Sequence, residues 1–274
     1  MTPLQAIVLG VVQGLTEFLP ISSTAHLRIL PALIGWEDPG AAFTAVTQVG
    51  TVTAVVLFFR ADLRRIARAS LAAARHPRGA WSADARLGAM ITAGTIPIGV
   101  LGLAFRDQIE TGARDLRLIG VTLIVLGLVL LWAERVGRRE RDVDDLTVGQ
   151  GILIGVAQAM ALMPGVSRSG ATISAGLFLG LDRVAAACFS FLLSVPAVVL
   201  SGAFGLTGIV DGSTAGPRPE LAVTALATVT AFVVGYASIA FLLRFLGSRS
   251  TAVFIAYRIA LGSLVLGLVS AGAI

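Results

Sequence analysis

GVVQGLTEFLPISSTAH, Gly10 to His26, sets a carboxylate, a proline, three successive hydroxyls and an imidazole inside an otherwise apolar run. GVAQAMALMPGVSRSGAT, Gly155 to Thr172, repeats its outline: G-V-x-Q, an apolar stretch, Pro, then a hydroxyl-rich segment, with one residue gapped before the proline. Each lies in a longer apolar stretch, 3–36 and 149–180, that is broken midway. Non-helical backbone is tolerated at membrane depth only where protein or a wet cavity satisfies its N–H and C=O groups. A re-entrant helix–loop–helix hairpin meets that condition.

Composition supports a membrane setting. The chain of 274 residues is 56% hydrophobic and 14% charged, with a mean hydropathy of +0.88. Soluble domains carry about 25% charged residues. All 21 basic residues are arginine, a bias that GC-rich coding explains, and arginines beside spans signal topology before anything else. The net charge of +5 therefore does not point to nucleic acid. The single cysteine, Cys188, excludes a disulfide framework and a cysteine metal site. The N-terminus has no basic n-region or A-x-A site and is not read as a signal peptide.

Six further segments are long and apolar enough to cross a bilayer, near 41–59, 88–105, 118–133, 184–206, 221–245 and 253–272. Arginine clusters orient them. Arg60, Arg64, Arg65, Arg68, Arg75, Arg78 and Arg86 fall in one connection, Arg135, Arg138, Arg139 and Arg141 in a second, and Arg244 and Arg249 flank a third. The loops near 106–117 and 207–220 are poorer in net positive charge. The positive-inside rule then makes the three arginine-rich connections cytoplasmic, and this assignment alternates through all six spans. Each broken stretch is followed by three spans. An odd number of crossings inverts the second copy relative to the first, as in proteins that build a polar site near the bilayer midplane. The predicted fold is all-α: a polytopic membrane protein of six transmembrane helices plus two re-entrant hairpins, with inverted repeats over 1–148 and 149–274.

In the second break, Pro164 ends one half-helix, and Gly165 and Gly170 let the loop turn and approach a ligand. The next half-helix starts near Ser169–Thr172 and aims its free N–H groups at the cavity, which suits an anion. Arg168 at the tip presents a planar fork matching phosphate oxygens. Ser167, Ser169 and Thr172 add hydroxyl donors. The alternative places Arg168 at a membrane surface, with the serines as helix caps. In the first break, Gln13 and Glu17 lie four apart on one helix face, and carboxylate and amide oxygens suit a hard cation such as Mg²⁺. Ser22, Ser23 and Thr24 offer a nucleophile or phosphate ligands, with His26 within reach as general base or acid. The alternative is a structural Glu17–His26 pair with capping hydroxyls. Gln48 either lines the cavity or bonds between helices, and Asp182 and Arg183 form an interfacial pair or a cap. A cation site, a hydroxyl, a histidine and an arginine nest at membrane depth describe phosphoryl chemistry on a lipid. A lipid transporter shares the inverted repeat and is the rival class.

These residues resemble the undecaprenyl-diphosphate phosphatase family, the bacitracin-resistance membrane proteins. The likeness rests on QGLTEFLPISSTAH and PGVSRSGAT, and extends through TQVGTVTAVV (Thr47 to Val56) and SFLLSVP (Ser190 to Pro196). The resemblance implies hydrolysis of undecaprenyl diphosphate to undecaprenyl phosphate and phosphate, recycling the carrier lipid of peptidoglycan synthesis and conferring bacitracin resistance. It implies a bacterial plasma-membrane location among membrane lipids, with the cavity facing the outer side. It also implies a divalent metal at Glu17 and Gln13, Mg²⁺ or alternatively Ca²⁺. Glu17, Ser23, His26 and Arg168 are the expected catalytic residues; Ser22, Thr24, Gln48, Ser167, Ser169, Gly170 and Thr172 are expected at the substrate. Ser23 activated by His26 is the expected nucleophile, with direct attack by a metal-bound water as the alternative. A homodimer is left open. Two positions depart from the family pattern: Gln13 stands where Glu is common, leaving one carboxylate fewer at the metal, and Ala25 stands where Gly is common.

Overall fold

A computed structural model describes residues 1–76, 81–105, 115–210 and 220–274. Arg78 and most of the 106–117 and 207–220 loops lie outside the described residues. Within them run eleven α-helices: α1 (Pro3–Phe18), α2 (Ser23–Ile34), α3 (Gly40–Phe58), α4 (Arg60–Arg75), α5 (Ala83–Ala104), α6 (Leu116–Val136), α7 (Val148–Ala159), α8 (Arg168–Phe178), α9 (Arg183–Val210), α10 (Leu221–Leu246) and α11 (Ala252–Ser270). Short 3₁₀ turns occupy Val143–Asp145 and Met160–Leu162.

The spans fall where the apolar runs place them. Five helices are long and apolar enough on their own to cross a bilayer: α5, α6, Arg183–Leu200 of α9, α10 and α11. The sixth, Ala42–Phe58 of α3, continues into α4 through a 75° bend. Residues 60–75 were expected as loop and form helix instead. Leu63 and Ile66 pack inward while Arg64, Arg65 and Arg68 stay exposed, so charge alone hid an amphipathic helix.

Both broken stretches are hairpins, α1–α2 and α7–α8, built alike from their first residue. Thr2 and Thr147 each accept a hydrogen bond from the amide three residues on, at 3.3 Å, and Gln5 and Gln150 reach back to the cap amide at 2.7 and 3.1 Å. These reciprocal caps stand 145 residues apart, as do Gly10 and Gly155, Gln13 and Gln158, and Ser22 and Ser167.

The packing is reciprocal between halves. Hairpin helix α1 lies along α10 of the second half, and α7 lies along α5 of the first. The spans α3 and α9 pack on each other, as do α6 and α11. The glycine opening each G-V-x-Q segment makes the exchange fit. A Cβ at Gly10 would stand 2.5 Å from the Ala227 carbonyl of α10, and one at Gly155 only 2.1 Å from that of Gly94 in α5. Gly155→Val is accordingly expected to destabilise the fold by about 1–3 kcal/mol through overpacking, read as a lower thermal midpoint in detergent. An unchanged midpoint would mean that α5 and α7 separate freely.

At the end of α6, buried Glu134 accepts from Arg183 Nε at 2.8 Å, Arg139 at 3.0 Å and the Thr251 hydroxyl at 2.7 Å. Asp182 caps α9 through the Ala185 amide at 2.8 Å. The two neighbours thus serve separate tasks, and Arg183 pairs with Glu134 rather than with Asp182.

Candidate active site

The two hairpin tips touch. Glu17, in the last turn of α1 and buried, is where they converge. Its Oε1 accepts from Arg168 of the second tip at 2.8 Å and from Gln48 Nε2 of α3 at 3.5 Å. Its Oε2 accepts from the Ser23 hydroxyl at 2.7 Å and from Gln13 Nε2 at 3.0 Å. Four donors from four elements therefore meet one carboxylate. The Arg168–Glu17 pair is largely enclosed, with side-chain exposures of 14% and 6%. Such a pair is sensitive to losing either partner, because the survivor is left buried and uncompensated.

Local geometry explains how two unlike residues arrive at the same place. Ser22 and Ser167 both adopt left-handed backbone, φ 76° and φ 67°, a region that costs a non-glycine residue of order 1–3 kcal/mol and collects at functional sites. Each caps the helix that follows it: Ser22 Oγ accepts from the Ala25 amide at 3.4 Å, and Ser167 Oγ from the Gly170 amide at 3.2 Å. The first helical residue after the cap is Ser23 in one half and Arg168 in the other. The same sharp corner thus presents a hydroxyl from one side and a guanidinium from the other. Ala25 lies inside α2 and the left-handed residue is Ser22, so the Gly-to-Ala departure costs the turn nothing.

The remaining hydroxyls join the tips. Ser169 donates to the Leu19 carbonyl of the first tip at 3.0 Å and lies 3.2 Å from the Ser167 hydroxyl. Thr172 bonds the Arg168 carbonyl at 2.8 Å and the Ser190 hydroxyl at 2.6 Å. Gly170 brings its capped amide, and its carbonyl accepts from the Ser174 hydroxyl at 2.7 Å. Thr24 is exposed, unlike these buried hydroxyls.

His26 stands apart from Ser23. Its Nδ1 is 2.7 Å from the Ser22 carbonyl, which only accepts, so Nδ1 carries the proton; Nε2 is 2.7 Å from the Tyr257 hydroxyl, whose ring stacks parallel to the imidazole at 5.5 Å. Both nitrogens are engaged, and the Ser23 proton points to Glu17 rather than to His26. The expected Ser23–His26 dyad is therefore not what the side chains form. Tyr257 and its neighbour Arg258, on α11, reach the tips without having been singled out in the sequence. Their signal was a charged residue well inside an apolar run.

Among the described residues no group of three His, Cys, Asp or Glu side chains could hold a metal. One feature does fit a cation: Gln13 Oε1 is buried without a hydrogen-bond partner, beside Glu17. An amide oxygen, one carboxylate and the Ser23 hydroxyl make an incomplete set of hard donors, one that anionic oxygens of a substrate would finish. Thr51 and Val55 of α3 and Ser194 and Val198 of α9 line a narrow cleft together with Glu17 and Arg168.

The chain resembles known proteins over nearly its whole length. The family model described as "Bacitracin resistance protein BacA" matches residues 6–264. The chain is 54% identical to the undecaprenyl-diphosphatase of Nocardioides sp. (strain ATCC BAA-499 / JS614), over 99% of this chain and 98% of that protein. It is 53% identical to undecaprenyl-diphosphatase 3 of Frankia alni, over 97% and 95%, and 52% identical to the undecaprenyl-diphosphatase of Chlorobium phaeobacteroides, over 99% of both. A match that spans both hairpins and all six spans at this identity makes the chain a member of the BacA bacitracin-resistance family of multi-pass membrane proteins.

Proposed function

We propose that the chain hydrolyses undecaprenyl diphosphate to undecaprenyl phosphate and inorganic phosphate at the junction of its two hairpins. The observation carrying this is the 2.8 Å contact between Glu17 and Arg168, with the Ser23 hydroxyl on the same carboxylate. It supports the following course. The diphosphate draws the Arg168 fork from Glu17 onto its own oxygens, where a planar bidentate donor is strongest. Ser23 Oγ bonds to the terminal phosphorus as the bridging P–O bond breaks, its proton passes to Glu17, and undecaprenyl phosphate leaves. Water then bonds to that phosphorus as the Ser23 Oγ–P bond breaks, Oγ takes back the proton held by Glu17, and the protons of the water leave on the phosphate. Glu17 replaces His26 as the base, because it already accepts the Ser23 hydrogen bond. His26, fixed by Ser22 and Tyr257, holds the start of α2 and thereby the corner that presents Ser23.

Mg²⁺ suits Gln13 and Glu17, and when bound would neutralise phosphate charge. The bacterial plasma membrane, with the tips opening toward its outer side, is the setting this reading requires, since the lipid carrier is spent there. The arginine-rich connections mark the cytoplasmic ends of the spans and so give the chain its sense in that membrane.

The purified protein in detergent, given a polyprenyl diphosphate and Mg²⁺, is expected to release one phosphate per lipid and to stop on addition of EDTA. A protein that only moves lipid would release none.

A further inference from the structure

Arg258 of α11 is fully buried, the largest side chain so enclosed, and among the described residues no ion pair reaches it. A guanidinium at membrane depth costs several kcal/mol unless its charge is answered. Here backbone carbonyls answer it. Nη1 donates to Pro20 at 3.1 Å, Nη2 to Gly165 at 3.0 Å and Val166 at 3.1 Å, and Nε to Leu123 of α6 at 3.2 Å. Pro20 lies in the first tip, Gly165 and Val166 in the second.

The choice of acceptors is informative. Breaking a helix at membrane depth frees carbonyls that lipid cannot solvate. Each hairpin has such a break, and the Arg258 fork takes the freed carbonyls of both at once. Pro20 stands between Glu17 and Ser23 in the chain, and Val166 stands two residues before Arg168. The fork also has a single seat: a Cβ at Gly170 would lie 3.0 Å from Nη1. Lysine, a point donor on a flexible stem, would not span the two tips.

We propose that Arg258 is a positioning residue that locks the two tips in register, so that Ser23 and Arg168 meet one carboxylate. It touches neither Glu17 nor the reacting atoms. Its catalytic consequence rests on the hydrolysis proposed above, but its structural one does not.

The test compares wild-type protein with Arg258→Met and Arg258→Lys in detergent, by thermal unfolding, steady-state kinetics and amide hydrogen exchange. Arg258→Met is expected to lower kcat ~100-fold, the cost of a misplacement of about 1 Å made away from the chemistry. KM should stay within about threefold, since the residue does not contact substrate. Arg258→Lys, which keeps the charge but not the fork, should recover about tenfold of that loss. Exchange at 19–25 and 164–170 should quicken in Arg258→Met while that of α3 and α9 is unchanged. A folded variant of either kind with kcat within threefold of wild type, or unchanged exchange at both tips, would overturn the proposal. If Arg258→Met does not fold, Arg258→Lys decides alone. If wild-type protein releases no phosphate, the hydrolytic reading falls and tip exchange alone decides on Arg258.

Discussion

Arg168→Ala is expected to lower kcat for polyprenyl diphosphate hydrolysis by ~10²–10³, the usual loss when one preorganised charge donor is removed from a developing anion. The fold should survive, at some cost in stability because Glu17 is left buried with only the neutral donors Ser23, Gln13 and Gln48. Glu17 is the one hydrogen-bond partner described for the Arg168 side chain, whereas the second tip is tied to the first by Ser169 on the Leu19 carbonyl, to α9 by Thr172 on Ser190, and to Arg258 by Gly165 and Val166. Arg168→Lys keeps a cation without the fork and should fall between alanine and wild type. Single-turnover phosphate release measures these rates without interference from slow product exit. An alanine variant within threefold of wild type would remove Arg168 from the chemistry.

Glu17→Gln should cost still more, ~10³–10⁴, because it removes the base and the organising acceptor together. The amide keeps the shape of the side chain but cannot take the Ser23 proton. It also turns an NH₂ toward donors already present on Ser23, Gln13, Gln48 and Arg168. Stability gives an independent check. The substitution strands Arg168 in a buried place, which costs about 3–5 kcal/mol when a buried pair loses one member. Adding Arg168→Met to Glu17→Gln should therefore restore the unfolding midpoint and leave the enzyme inactive. Recovery of activity in the double variant would show that Glu17 serves only as a counter-charge, and a tenth of wild-type rate in Glu17→Gln alone would do the same.

The spans were legible in the sequence because nothing but membrane explains runs such as Leu221–Leu246, and the hairpins because a proline and a hydroxyl cluster cannot lie in lipid unattended. Glu17 and Arg168 stood out for the same reason. Helix α4 did not, since its arginines outweigh the two or three apolar positions that make it amphipathic. Nor did the capping tasks of Ser22 and Ser167: a hydroxyl that caps and one that meets substrate look alike until the helix start is known. The partners of His26 were out of reach because Tyr257 lies 231 residues away. Arg258 is the instructive omission. Its position inside the apolar run Ala252–Ser270 carried the same warning as Arg168, but no proline or serine stood beside it to mark a site.

The exchange of helices between halves also bears on how the protein comes into being. Synthesis delivers α1 long before α10, the helix it rests on, and delivers Glu17 some 150 residues ahead of Arg168. The first hairpin must therefore wait in the translocon or the surrounding lipid, its broken backbone unanswered, until the last third of the chain has entered. Arg258 arrives later still. Maturation is consequently a closing event rather than a gradual one, and a nascent chain cut short anywhere before its final helix carries a polar wound in the bilayer, the kind of lesion that membrane proteases are equipped to find.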